Sequence, residues 1–369
     1  MSAPLPVAVI GGGREGLRQA ALIEADPRLK VAAVISPSEE GRERAESLGL
    51  PTAAELEDVA EHVAAAVVAL PAASRVRASE TCAARGLPLL LAGGLGASLR
   101  DSRRIIAAFA QAGAPLLVGH ARRHHPAAAA AHEAAKGGLL GRLIAADAVW
   151  HLRKPTRSQA YPLRVQSGEG PVLDRLIHDV DLLRWLLGDA AEVTAMASGG
   201  GVSAGPCAAA TLIRFEKGAL ATAILSESGL SPWGWEAATG EDDGIARSGE
   251  DCLRLVGTEG AMSLPSLTYW RHGGVGEHDR SAALTRLSLP CPPSDPLAAQ
   301  MAHFARVASG AAAPLVTGED ALRSLALALS IEEAARRGAA MIPDPERPDI
   351  WEPTAAAIFR DLAGQRQPV

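Results

Sequence analysis

Across the first 120 residues, short apolar runs alternate with helical patterns, and few folds accommodate that rhythm. "PVAVIGGG" reads as a strand, "EGLRQAALIEA" as a helix and "KVAAVIS" as a second strand. "EEGRERAESLG" follows as a helix, "AAAVVAL" as a strand and "RVRASETCAARG" as a helix. "LPLLLAG" and "APLLVGH" are further strands, with the helix "LRDSRRIIAAFAQAG" between them. Strands this uniformly apolar are buried on both faces. A doubly wound parallel sheet with helices on each side provides that burial.

After residue 121 the rhythm changes. "AAAAAHEAAK" reads as a helix, "GRLIAADAVWHLR" as a long strand and residues 172–188 as another helix. Extended runs follow at "EVTAMASG", "AAATLIRFEKG", "ALATAILSES", "DCLRLVGTEGAMSLP" and "LTYWRHGG", with a hairpin expected around Lys217-Gly218. Consecutive strands with few helices predict an α+β domain built on a large, mainly antiparallel open sheet. "GLSPWGWEAATGEDDGIARSGED" reads as a long loop, and helices return at "PLAAQMAHFARVASG" and "EDALRSLALALSIEEAARRG". The expected division is an α/β Rossmann-type domain over 1–121, an α+β domain over 122–342 and a Pro-punctuated extension over 343–369 with one short amphipathic helix.

Composition fits this two-domain picture. The chain has 369 residues, 48% of them hydrophobic, and a net charge of −6 without a long basic run. That balance argues against nucleic acid and against anionic membrane surfaces as partners. No apolar run reaches the roughly 18 residues of a membrane span, and "MSAPLPVAVIGGG" lacks the features of a signal peptide. Cys82, Cys207, Cys252 and Cys291 are scattered without CxxC spacing, so no metal site is expected and a reducing cytoplasm is the expected compartment.

The clearest motif is "VAVIGGGREGLRQA", which places Gly11, Gly13 and Gly16 in a G-x-G-x-x-G pattern between a strand and a helix. The first glycine permits the tight turn, the second lets the backbone approach a pyrophosphate and the third lets helix and strand pack closely. Arg14 and Glu15 lie inside the loop. The alternative is a glycine-rich turn with no ligand. At the end of the second strand, Ser36 stands where an acidic residue would take the ribose hydroxyls of NAD, and Arg42 and Arg44 follow. The arginines lean slightly towards NADP; Glu39 and Glu40 counter them, and NAD or NADP stays open.

On the helix over 172–188, Asp174, His178 and Asp181 fall at i, i+4 and i+7 and share one face. A carboxylate one turn before an imidazole can orient the ring and raise its basicity, which makes a workable proton-transfer pair. The same spacing also fits a solvated polar face. "GHARRHHP" carries His120, Arg122, Arg123, His124 and His125 to the C-terminal edge of the first sheet, where α/β ligands bind. A structural or substrate-facing role suits these residues better than metal ligation, because no acid with metal-site spacing lies near them.

Taken together, these segments resemble the glucose–fructose oxidoreductase / inositol dehydrogenase (Gfo/Idh/MocA) family over roughly residues 5–342. The likeness rests on the glycine loop, "ALPAAS", "VGHARRHHP", "GPVLDRLIHDVDLLRWLLG", "VGTEGAMSL" and "LVTGEDALRSLALALSIEEAARRG". The resemblance implies an NAD(P)-dependent oxidoreductase acting on a sugar, polyol or related hydroxy or carbonyl compound. It also implies a homodimer or homotetramer formed through the C-terminal sheet. Asp174 and His178 would bind substrate and move the proton, with Asp181 on the same helix, and Arg123 would line the cleft. Leu70, Pro71 and Arg75 occupy the family's A-T-P-N-x-x-H turn, on the cofactor side.

The sequence departs from the family at "LLLAGGLGAS". Ala92, Gly93 and Gly94 stand where the family carries Glu-Lys-Pro, so its catalytic lysine is missing. His120, His124, Arg153 and Lys154 are the nearby candidates to replace its hydrogen bond. Losing one such preorganised donor commonly costs a factor of about 100 to 1,000 in rate. A catalytically weak ligand-sensing protein and a non-redox enzyme such as a lyase or hydrolase are therefore the alternative readings.

Overall fold

The computed structural model describes residues 3–151, 177–198, 208–226, 229–242, 244–272, 283–292 and 295–347. The first sheet is built from β1 (Leu5–Ile10), β2 (Leu29–Ile35), β3 (Thr52–Ala53), β4 (Ala65–Val68), β5 (Leu89–Leu91) and β6 (Leu116–Val118). All its pairings are parallel, in the order β3-β2-β1-β4-β5-β6. Helices α1 (Arg14–Ala25), α2 (Glu39–Glu46), α3 (Arg75–Ala84) and α4 (Leu99–Ala112) connect the strands. Every residue of β4, β5 and β6 is buried, which is why these strands carry no polar alternation. Strand order reverses between β1 and β4, so a crevice opens beyond their C-terminal ends.

The second half contains α5 (Pro126–Lys136), β7 (Leu143–His151), α6 (Ile177–Leu187), β8 (Ala190–Ala197), β9 (Ala208–Phe215), β10 (Leu220–Ser226) and α7 (Trp235–Thr239). It continues with β11 (Leu253–Gly257), β12 (Ala261–Leu264), β13 (Thr268–His272), β14 (Leu284–Ser288), α8 (Pro296–Ala308) and α9 (Gly318–Arg337). Its eight strands run in the order β14-β13-β12-β11-β7-β10-β9-β8. All pairs are antiparallel except β7 with β10. The hairpin at Lys217-Gly218 joins β9 to β10 as expected, with Gly218 at φ +89°.

Burial alternates strictly along β9, so one face of this sheet packs inward and the other faces outward. The outward face carries exposed apolar side chains, with Met196 80% exposed and Leu212 and Ile224 exposed, alongside the ion pairs Arg214–Glu192 and Arg254–Asp147. Three elements escape a reading of the sequence. β3 is two residues long, and β14 is a largely exposed edge strand; neither carries a hydrophobic period. The third is α7, a five-residue helix inside the stretch read as a loop.

Packing does not follow chain order. Met301 and Phe304 of α8, with Leu322, Leu325 and Leu329 of α9, belong to the core of the first sheet. Leu327, Ile331 and Ala334 of α9 belong to the core of the second. The expected boundary at 121/122 therefore separates the sheets but not the cores. Most of the 343–369 extension, including its expected amphipathic helix, lies outside the described residues. None of the described helices is long and apolar enough to cross a membrane.

Candidate active site

The glycine loop leaves β1 at the crevice. Gly11 adopts φ +131°, and a side chain there would meet the Ala69 carbonyl oxygen at 2.4 Å. A Cβ on Gly16 would lie 1.7 Å from the Gly11 oxygen, so this glycine lets α1 seat directly on the loop. Gly13 differs: nothing lies within 4 Å of where its Cβ would be, and it caps α1 without a side-chain hydrogen bond. Open space above uncapped backbone N–H groups at a helix start suits an anionic pyrophosphate. Arg14 starts α1, and the adjacent Glu15 faces the cleft and accepts a hydrogen bond from Gln19.

At the end of β2, Ser36 is buried with its hydroxyl 3.2 Å from that of Ser38. Arg42 folds back to donate to the Ser36 and Pro37 carbonyls at 2.8 and 3.1 Å, while Arg44 pairs with Glu40. A guanidinium thus sits beside the strand end, where dinucleotide-binding folds commonly place a carboxylate.

The turn after β5 carries no donor side chain of its own. Gly93 holds φ +96°, and a neighbour fills the adjacent space. Arg75, at the start of α3, donates from Nε to the Leu70 carbonyl at 2.8 Å. Its Nη1 donates to the Gly94 and Leu95 carbonyls at 2.5 and 3.0 Å. Leu70 packs on the first core, and Pro71 caps the short turn over Ala72–Ser74 that leads into α3.

Beyond β6, a single helical turn at Ala121–His124 packs two consecutive arginines against α6. Arg122 pairs with Asp179, and with Glu236 at 3.0 Å, and lies 5.5 Å from the Trp235 ring centre. Arg123 grips Asp181 through two nitrogens, at 2.6 and 2.7 Å, and also binds Asp320 of α9. Ser324 donates to the same Asp181 at 2.7 Å, and Arg184 bonds both Ser324 and Asp320. Desolvated charges need such complete pairing, and here it locks the first sheet, α6 and α9 together.

His178 opens α6 and lines a cleft of about 400 Å³ together with His120, Arg75, Gly93, Arg122 and Glu241. The two imidazoles meet edge to face with centres 5.6 Å apart. Neither ring nitrogen of His120 has a hydrogen-bond partner, and its Nε2 lies 4.0 Å from Asp181. Burial, reinforced by Arg122 and His120, pushes the His178 pKa down to about 3. Burial also lowers that of His120. Burial thus favours the neutral form of both rings.

The site residues expected from sequence divide into groups. The structure brings His178, His120, Arg75 and Glu15 to one cleft, beside the bare turn at Gly93. Arg123 and Asp181 are 3% and 1% exposed and bind each other, so they brace the cleft from behind without opening into it. His124 faces His303 at 5.3 Å, away from the cleft lining. Asp174, Arg153 and Lys154 lie outside the described residues. Sequence reading missed Glu236 and Glu241, which reach the cleft from the stretch read as a loop. Glu236 accepts from Trp150 at 2.8 Å and Glu241 from Trp235 at 3.0 Å. Burial raises the Glu241 pKa, and Arg122 opposes the shift. Two tryptophans in "SPWGWEAATGED" were the available signal, since solvated loops seldom hold such side chains.

A glycine loop with open space at a helix start, at a sheet switch point, and a cleft holding a buried imidazole pair are features of two-domain dinucleotide-binding proteins. Residues 5–120 match the model of an oxidoreductase family with an NAD-binding Rossmann fold. Residues 128–263 match the GFO/IDH/MocA C-terminal domain. The chain belongs to the Gfo/Idh/MocA family of NAD-binding oxidoreductases. It is 28% identical over 256 residues to a 1,5-anhydro-D-fructose reductase of Ensifer adhaerens, covering 67% of this chain and 69% of that one. Its fold superposes with a TM-score of 0.75 on an Agrobacterium radiobacter oxidoreductase solved with NAD+, L-tartaric acid and magnesium. That pair is 18% identical, with 92% of this chain and 98% of the other covered. A myo-inositol dehydrogenase from Corynebacterium glutamicum superposes with a TM-score of 0.71 at 20% identity, covering 93% and 99% of the two chains.

Proposed function

We propose that this protein is an NAD(P)-dependent oxidoreductase for a sugar, polyol or related hydroxy or carbonyl small molecule. In this reading, His178 is its acid/base group. The supporting observation is the cleft itself: the buried His178 imidazole shares it with the Gly93–Gly94 turn and with Glu15, beside the glycine loop's open space at Gly13. The nicotinamide, when bound, supplies or takes the hydride. The chain's own residues position substrate and move the proton. His178 accepts the hydroxyl proton; a part for Asp174 in orienting its ring rests on the sequence spacing alone. His120 lies between His178 and the Asp181 carboxylate, where it keeps water from the buried side of the ring.

Gly13 and the uncapped start of α1 would hold the pyrophosphate. Ser36 and Arg42 fit a 2′-phosphate at least as well as a free ribose hydroxyl, which gives the slight lean towards NADP. The exposed apolar face of the second sheet supports a homodimer or homotetramer formed through it. Cys82, Cys252 and Cys291 are free thiols, as suits a cytoplasmic protein.

Titration with NADH and NADPH, followed by turnover on a sugar and polyol panel, tests the reading. Tight binding of either cofactor with His178-dependent turnover supports it, and no binding at millimolar cofactor sinks it. The bare Ala92–Gly94 turn favours one competitor, a sensing protein with little catalysis. Binding without turnover across the panel would select that competitor.

A further inference from the structure

The turn after β5 is bare, yet the adjacent wall of the cleft is not uncharged. We infer that Arg75 supplies the fixed positive charge that this turn lacks, entering from the neighbouring strand–helix turn to face the negative charge developing on a substrate oxygen. The inference rests on the oxidoreductase reading and adds to it a positioning and electrostatic residue.

Three observations carry it. First, Arg75 and the Gly93-Gly94 turn line the same cleft as His178 and His120. Second, the guanidinium is aimed at the turn and held there, with Nε on the Leu70 carbonyl and Nη1 on those of Gly94 and Leu95. Third, the turn and the arginine are sterically complementary. A Cβ built on Gly93 would lie 3.1 Å from Arg75 Nη2 and 3.7 Å from its Cζ. Gly93 also holds φ +96°, which side chains larger than glycine's rarely adopt. A side chain on this turn would press on the end of the Arg75 guanidinium, which would have to give by a few tenths of an ångström.

The substitution changes the chemistry in a defined way. Guanidinium stays protonated at any working pH and moves no proton, so Arg75 stabilises charge while His178 alone handles the proton. A preorganised cation beside a developing oxyanion is worth a factor of about 100 to 1,000 in rate.

The test uses the full chain and variants at positions 75 and 93. Arg75→Met should lower kcat by about 100-fold while the KM for the hydroxy or carbonyl substrate changes far less. Arg75→Lys should keep most of the activity near neutral pH and lose it at alkaline pH, towards the ordinary lysine pKa of about 10.4. The unmodified protein should show no such loss. Gly93→Lys alone should be impaired by collision with Arg75. Combined with Arg75→Ala, it should exceed the single Arg75→Ala variant. An active parent whose Arg75→Met form keeps kcat within about threefold overturns this inference alone, as does an Arg75→Lys form no better than Arg75→Met. A parent without cofactor-dependent turnover overturns the oxidoreductase reading, and the catalytic role of Arg75 falls with it. A melting-temperature cycle between Arg75→Met and Gly93→Ala checks the steric premise without substrate. Gly93→Ala should cost more with Arg75 present, and additive shifts would refute the shared space.

Discussion

His120 and His178 face each other edge to face, 5.6 Å between ring centres, and His120 has no hydrogen-bond partner on either nitrogen. A buried imidazole with both nitrogens unpartnered is costly to keep, so its placement beside a candidate base is informative. His178→Ala should reduce turnover by about 100- to 10,000-fold, the usual range for removing an acid/base group. Cofactor affinity, read by NAD(P)H fluorescence, should stay unchanged. Undiminished turnover would move the acid/base role elsewhere.

Acid sensitivity follows from the same histidines. Burial lowers the pKa of His178 to about 3 and those of His124 and His125 to about 4, against an ordinary 6.5. The unfolded chain therefore binds more protons than the native one between roughly pH 4 and 6.5. Stability is full above that window and falls as pH drops through it, by up to about 1.4 kcal/mol per pH unit for each group. Urea melts at pH 7, 6 and 5 should show the decline, and a flat profile would mean these rings are hydrated in solution.

Arg123 and Asp181 offer a test of the buried network. Arg123→Met strands a carboxylate that is 1% exposed and should cost about 3 to 5 kcal/mol in urea unfolding. Adding Asp181→Leu should recover much of that loss, because the uncompensated charge is then gone.

The two inner glycines of the loop should separate folding from binding. Gly16→Ala forces a Cβ to within 1.7 Å of the Gly11 oxygen and should lower the melting temperature sharply. Gly13→Ala meets nothing within 4 Å, so it should fold normally and weaken NAD(P)H binding by about tenfold or more.

The open sheet face can be tested by charge. Leu212→Lys sits on the exposed apolar side of β9 and should convert an oligomer to a monomer in sedimentation velocity, without loss of helical signal. A parent that is already monomeric would refute the oligomer proposal.

Much of this architecture is legible in the sequence because period and burial coincide. β4 to β6 are apolar throughout and buried throughout, and the β9–β10 turn is marked by Lys217-Gly218. His178 is legible because it recurs on a helix beside an acid. Glu236 is not, because it meets Arg122 across 114 residues of chain and only tertiary packing brings them together. The role of Arg75 is hidden for a related reason. The sequence displays an absent lysine at one turn, while the charge that faces it arises at another. Asp181 shows the limit of face-sharing: its spacing matches that of His178, yet the arginine behind it takes both its oxygens.

One consequence follows from α9. Its early turns complete the first core and its later turns the second, so neither half owns a full hydrophobic interior. A fragment ending at residue 121 would lack Met301, Phe304, Leu322, Leu325 and Leu329, and it would expose the apolar wall they cover. Two sheets that look separable by chain order thus share one helix, and cutting the chain between them leaves both interiors incomplete.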